Sequence, residues 1–217
     1  IGKMVMRLMC VLVAHLLEIS LSLSSIEHVA TLLRSKMRLG VMCSGNGTNF
    51  ENILRTCNKD EVVIMIHNKK KCGALKRAAK FGIPHCYVNA KEEEQMIKLF
   101  ESWRVDLIVL AGYMRIIKNP AAFPAPIINV HPSLLPKYKG LNVVERAMEA
   151  GEVETGCTVH YVNEELDGGE IIMQGKVPIL PHDDVESLTK AIQRQEYALL
   201  PQAIEHVKHE LQTRTYG

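Results

Sequence analysis

"RLGVMCSGNGTNFENILRTC" (residues 38–57) runs from an apolar segment through a turn built on Gly45 and Gly47 into a segment with Phe50, Ile53 and Leu54 at helical spacing. The apolar part shows no polar alternation, so both faces of the strand it predicts are covered, as happens in parallel sheets flanked by helices. A strand that turns straight into a helix is the opening of a βαβ unit, and the rest of the chain keeps that rhythm. "EVVIMIHN" (61–68) reads as a second buried strand, and "GALKRAAKFG" (73–82) as a helix stopped by Gly82. "PHCYV" (84–88) is a short strand, and "KEEEQMIKLFESW" (91–103) is a helix with Met96, Leu99, Phe100 and Trp103 on one stripe. "DLIVLAG" (106–112) and "IINV" (127–130) are further buried strands. This order predicts an α/β fold: a doubly wound, mostly parallel sheet with helices on both faces.

Beyond "LNVVERAMEAG" (141–151), another helix closed by glycine, the pattern changes. "GCTVHYV" (156–162) and "EIIMQGKVPI" (170–179) read as alternating strands, an antiparallel extension of the sheet near the C-terminus. A final helix over 183–210 starts on acidic residues that suit its dipole, and Pro201 is expected to kink or break it.

With 47% hydrophobic and 23% charged residues, the 217-residue chain has the makings of a substantial core. A formal charge of +2, with Lys69–Lys71 as its one basic block, gives no field suited to nucleic acid. The six cysteines form no C-x-x-C pair and no cluster with the nine histidines, which points to reduced thiols in a cytoplasmic compartment and to no metal site. Residues 4–17 are apolar but too short for a comfortable membrane span, and Glu18 interrupts them. Residues 1–36 are therefore read as a leader or a non-native upstream extension before Met37, with organellar import open if the leader is real. Residues 37–217 are read as one domain, with no membrane partner expected.

Three stretches can carry chemistry. "SGNGTN" (44–49) is either a plain β-α turn with Thr48 or Asn49 as cap, or a small phosphate site. In the second case the amides of Gly47, Thr48 and Asn49 lie at a helix mouth, where unpaired N–H groups favour an anion. Asn129 and His131, in "INVHP", share one face of a strand that Pro132 ends. They are a structural pair of hydrogen-bonding groups or an oxyanion site. Asp167, in "NEELDGG", is a turn residue or the acidic partner of a histidine, with Thr158 and His160 placed to support it. No serine or cysteine sits in a nucleophile elbow, so direct attack by a substrate fits better than acyl-enzyme chemistry.

At "SGNGTNFENIL", "LAGYMRII", "INVHPSLLPKYKG", "GCTVHYVNEELDGGEIIMQ" and "QRQEYALLP" the chain resembles the phosphoribosylglycinamide formyltransferases, within the folate-dependent formyltransferase superfamily. The resemblance makes 37–217 a formyltransferase domain with Asn129, His131 and Asp167 as catalytic trio. Gly47, Thr48, Asn49, Gln193 and Glu196 would bind the substrate. Met114, Arg115, Ile116 and Ile117, with Asn163, Glu164, Glu165 and Leu166, would form the folate pocket, and Arg77 is a candidate for the folate tail. It implies 10-formyltetrahydrofolate as formyl donor, phosphoribosylglycinamide as acceptor, no metal, and a monomer or weak homodimer. The rivals are a formyltetrahydrofolate deformylase and a non-catalytic folate- or nucleotide-binding module.

Overall fold

In the computed structural model, which describes residues 36–57 and 61–214, the opening stretch forms the fully buried strand β1 (Leu39–Cys43) and helix α1 (Thr48–Thr56). β2 (Val62–His67), α2 (Gly73–Phe81), β3 (His85–Tyr87), α3 (Glu93–Ser102), β4 (Leu107–Leu110) and β5 (Ile127–His131) follow. After α4 (Val143–Glu149) come β6 (Glu154–Tyr161), β7 (Ile171–Pro178) and the long helix α5 (Val185–Arg214). The seven strands lie in the order β3-β2-β1-β4-β5-β6-β7. β1 to β5 are parallel, and β6 and β7 are antiparallel to their neighbours, so the fold is the doubly wound one expected, with its C-terminal extension. All these elements belong to a unit running from Met37. The reading of residues 1–36 as a leader or upstream extension falls, but for Lys36, outside the described residues.

The sheet separates two apolar cores. Phe50, Ile53 and Leu54 of α1, Ala74 and Ala78 of α2, and Leu188, Ile192, Leu200, Ile204 and Val207 of α5 fill one side. Met96 and Phe100 of α3 cover the other, with Phe123. Each fully buried large side chain contributes about 1.5–3 kcal/mol, so helices on both faces hold the strand edges in place. β1 leads to β2 on one side and β4 leads to β5 on the other. The crevice at the carboxyl ends of β1 and β4 is the switch point where such sheets bind ligands.

Two expectations are corrected. β6 does not alternate: Thr155 through His160 are all buried. α5 covers one face, and on the other the Thr158 hydroxyl donates to the Ser133 carbonyl (2.7 Å) and accepts the Leu135 amide (3.1 Å). A polar residue can be buried at no great cost once its hydrogen bonds are made. Nor does Pro201 break α5, which is continuous from Val185 to Arg214. Pro201 has no N–H for the carbonyl of Tyr197, and the Asn52 side chain of α1 supplies the missing donor at 2.8 Å.

Among the described residues no helix is long and apolar enough to cross a membrane, and no group of three His, Cys, Asp or Glu side chains is placed to hold a metal ion.

Candidate active site

Gly47 caps α1 at φ 70°, in the left-handed region, and a Cβ there would meet Cβ of Ala74 at 2.7 Å and its Cα at 2.9 Å. Only glycine lets the loop turn this sharply against α2. No side chain caps α1. Thr48 is already the first helical residue, and the amide of Asn49 is turned away, donating through Nδ2 to Oε2 of Glu196 at 2.8 Å, so the expectation of Thr48 or Asn49 as cap is overturned. The helix mouth is left with free N–H groups and the positive end of its dipole. Asn49 Oδ1 is buried without a partner, and burial raises the Glu196 carboxyl above its usual range, with the Asn49 bond opposing the shift. An orphaned acceptor beside a buried carboxylate suits a ligand with hydroxyls, such as a sugar phosphate. Gln193, one turn before Glu196 on α5, is exposed. Arg77 Nε donates to the Asn46 carbonyl (2.7 Å) and the guanidinium pairs with Glu51, so the side chain braces the glycine loop.

Asn129 and His131 do share a face at the end of β5, opposite His160 and Thr158 of β6. His131 points Nδ1 at Oδ2 of Asp167 (3.5 Å) and Nε2 at the Tyr138 carbonyl (2.9 Å). A carbonyl only accepts, so Nε2 carries a proton, and the other nitrogen faces a carboxylate. Asp167 adopts φ 47°, a conformation Asp and Asn tolerate better than other side chains, and its Oδ2 also accepts the Gly140 amide at 2.8 Å. The three predicted residues are thus brought together.

His160 has a definite job. Its Nδ1 donates to the Tyr161 carbonyl (2.8 Å), so Nε2 is the acceptor for Asn129 Nδ2 at 3.3 Å. Desolvation by burial lowers the His160 pKa, keeping the ring neutral and the acceptor available; Asp167, 3.8 Å away, pulls the other way more weakly. The Asn129 amide is held in one orientation, with its second N–H left for the cleft. An unfolded His160 takes up a proton as pH falls through its ordinary value of 6.5, while the folded one resists. The stability it contributes is therefore full above that value and shrinks below it. Thermal midpoints followed from about pH 8 down to about pH 5 should fall less steeply for His160→Gln than for the parent. Parallel curves would show that the ring is not held neutral.

Across the crevice, Met114 and Ile116 are exposed at 67% and 65%, two apolar side chains close together in one loop, while Ile117 is buried in the core below. No hydrogen bond to a described residue engages the backbone groups of Arg115, Ile116 or Ile117. An apolar lip with unpaired amide and carbonyl groups fits a flat heterocycle with its own donors and acceptors. Asn163, Glu164, Glu165 and Leu166 lie exposed in the loop leading to Asp167, with Glu165 paired to Lys139 at 2.6 Å.

Sequence reasoning missed the carbonyl of Tyr138 and the amide of Gly140, which hold His131 and Asp167. The signal was "PKYKG" itself: Tyr138 and Gly140 both take positive φ, which a tight turn ending on glycine could have suggested. Cys43, Cys57 and Cys157 are poor nucleophiles, since burial raises the thiol pKa of Cys43 and Cys57 and pushes Cys157 up to about 12.

Comparison with known proteins identifies the family. The formyl transferase family matches residues 37–204. The phosphoribosylglycinamide formyltransferase of Haemophilus influenzae is 42% identical over 180 residues, which are 77% of this chain and 85% of that one. The trifunctional purine biosynthetic protein adenosine-3 of Drosophila melanogaster is 39% identical over 188 residues, and there the chain spans only 14% of the relative's length. A crystal structure of phosphoribosylglycinamide formyltransferase from Anaplasma phagocytophilum superposes with a TM-score of 0.75 at 38% identity, covering 78% of this chain and 86% of that one. With its fold and its sequence in agreement, the chain belongs to the formyl transferase family, among the phosphoribosylglycinamide formyltransferases.

Proposed function

We propose that this enzyme transfers the formyl group of 10-formyltetrahydrofolate to the amine of 5′-phosphoribosylglycinamide, a step of de novo purine (IMP) biosynthesis. The observation that carries the reading is the meeting of Asn129, His131 and Asp167 between an uncapped helix mouth and an apolar lip. The folate supplies the formyl carbon. Gly47, Thr48 and Asn49 hold the substrate phosphate with Gln193 as a further contact, Glu196 holds the ribose, and the loops 114–117 and 163–166 hold the folate. Asn129 donates its free N–H to the formyl oxygen as negative charge grows there, and the His131 N–H, released in part from Tyr138, adds to it. A new C–N bond to the glycyl amine forms and the bond to the folate nitrogen breaks. The proton leaves the amine and ends on that nitrogen, by way of a water on Asp167 Oδ1, the oxygen that Gly140 leaves free.

The same reading makes 37–217 the catalytic domain and residues 1–36 a leader or upstream extension. On this reading the enzyme acts in the cytoplasm as a monomer or weak homodimer, and its substrates are small molecules, for which the near-balanced formal charge of +2, with no field suited to nucleic acid, is the support. The decisive assay follows formyl-folate consumption with and without the ribonucleotide. Consumption only in its presence is expected; loss of formate without any amine would make the chain a hydrolase. Thr48→Val should raise the KM for the ribonucleotide about tenfold and leave kcat within about twofold, because a remote phosphate contact binds ground and transition states alike. A matching fall in kcat would move Thr48 to the reacting centre.

A further inference from the structure

Ser44 is the last residue before the glycine turn and is 1% exposed, so no ligand reaches it. It nevertheless holds both halves of the crevice. Its N–H donates to the Gly112 carbonyl at 3.1 Å, and its hydroxyl accepts the Met114 amide at 2.8 Å. These two bonds straddle the turn after β4, where Gly112 takes φ 74° to bring the chain back toward Ser44. The next residue, Gly45, accepts the Ala74 amide through its carbonyl at 3.2 Å, fixing the glycine turn to α2. One buried side chain therefore sits between the loop that begins at Ser44 and the loop that carries Met114 to Ile117.

We propose that Ser44 is a positioning residue that couples the two substrate pockets, so that filling one tightens binding in the other. This rests on the assignment of those pockets to the ribonucleotide and the folate. Loops that rise from adjacent strands share one ordering cost when they are hydrogen-bonded to each other. A ligand that orders the glycine turn leaves less for the second ligand to order. The Ser44 N–H bond to Gly112 is main-chain and survives side-chain replacement, so the bond from the Met114 amide to the Ser44 hydroxyl is the part of the link that a substitution cuts.

The test uses tetrahydrofolate, which lacks the formyl group and occupies the pocket without reacting. In the unmodified enzyme, saturating tetrahydrofolate should tighten ribonucleotide binding at least about fivefold by calorimetry, within the usual span of coupling between sites. In Ser44→Ala the ratio should drop to within about twofold of one, and Ser44→Thr, which keeps the hydroxyl, should restore it. A merely structural loss would weaken both ligands and lower the thermal midpoint without changing the ratio. Hydrogen exchange gives a second readout without mutation: the ribonucleotide alone should slow exchange of the Met114 amide. A ratio unchanged in Ser44→Ala, a ratio near one in the parent, or no slowing at Met114 each overturns the coupling. Absence of formyl transfer by the unmodified enzyme sinks the substrate assignment instead, and failure of either ligand to bind it sinks both.

Discussion

Asn129→Ala and His131→Ala should each lower kcat by at least about a hundredfold, the loss typical of removing one donor to a developing oxyanion. The KM values should change little, because neither side chain touches the phosphate loop or the 114–117 lip. The two replacements fail in different ways. Asn129→Ala removes the free N–H and leaves His160 Nε2 without its donor, whereas His131→Ala empties the space between Asp167 and the Tyr138 carbonyl. Steady-state kinetics with both substrates varied separates the cases, and retention of near-parental turnover in either variant would remove that residue from the mechanism. The double variant should lose much less than the product of the two single losses, since groups that act on one oxygen act as a unit.

The second large effect belongs to Asp167. Asp167→Asn is a clean probe because asparagine is as much at home at φ 47° as aspartate and can still accept the Gly140 amide through its oxygen. What disappears is the charge facing His131 Nδ1 and the oxygen proposed to hold the relaying water. A fall in kcat of at least about a hundredfold with an unchanged thermal midpoint is expected, the pattern seen when the acidic member of a catalytic triad is neutralised with its geometry intact. An active Asp167→Asn enzyme would reduce the residue to a turn former, the plain alternative for an aspartate before two glycines.

What could be read from sequence followed the distance over which each residue's role is decided. β1 and α1 were legible because the continuous apolar run and the glycine turn are local facts, and the crevice followed from the βαβ order. Asn129 and His131 were legible because a strand's period puts them on one face. β6 was misread because its threonines and histidine suggest alternation, and the partners that let Thr158 be buried, Ser133 and Leu135, lie more than twenty positions earlier. The bracing role of Arg77 was hidden for the same reason: its partners, Asn46 and Glu51, come from another loop and helix. Ser44 gave no signal at all, since its significance lies in Gly112 and Met114, about seventy residues away.

The Asn52 amide that completes the α5 ladder at Tyr197 has a wider consequence. Asn52 lies one turn beyond Asn49 on α1, and Tyr197 directly follows Glu196, so two neighbouring cross-links lock these helices in register. On the proposed reading α1 grips the phosphate of the acceptor and α5 its ribose, which makes the pair a rigid gauge of the span between those two groups. A nucleotide analogue with one extra methylene between those groups should be refused even though every individual contact it needs is present.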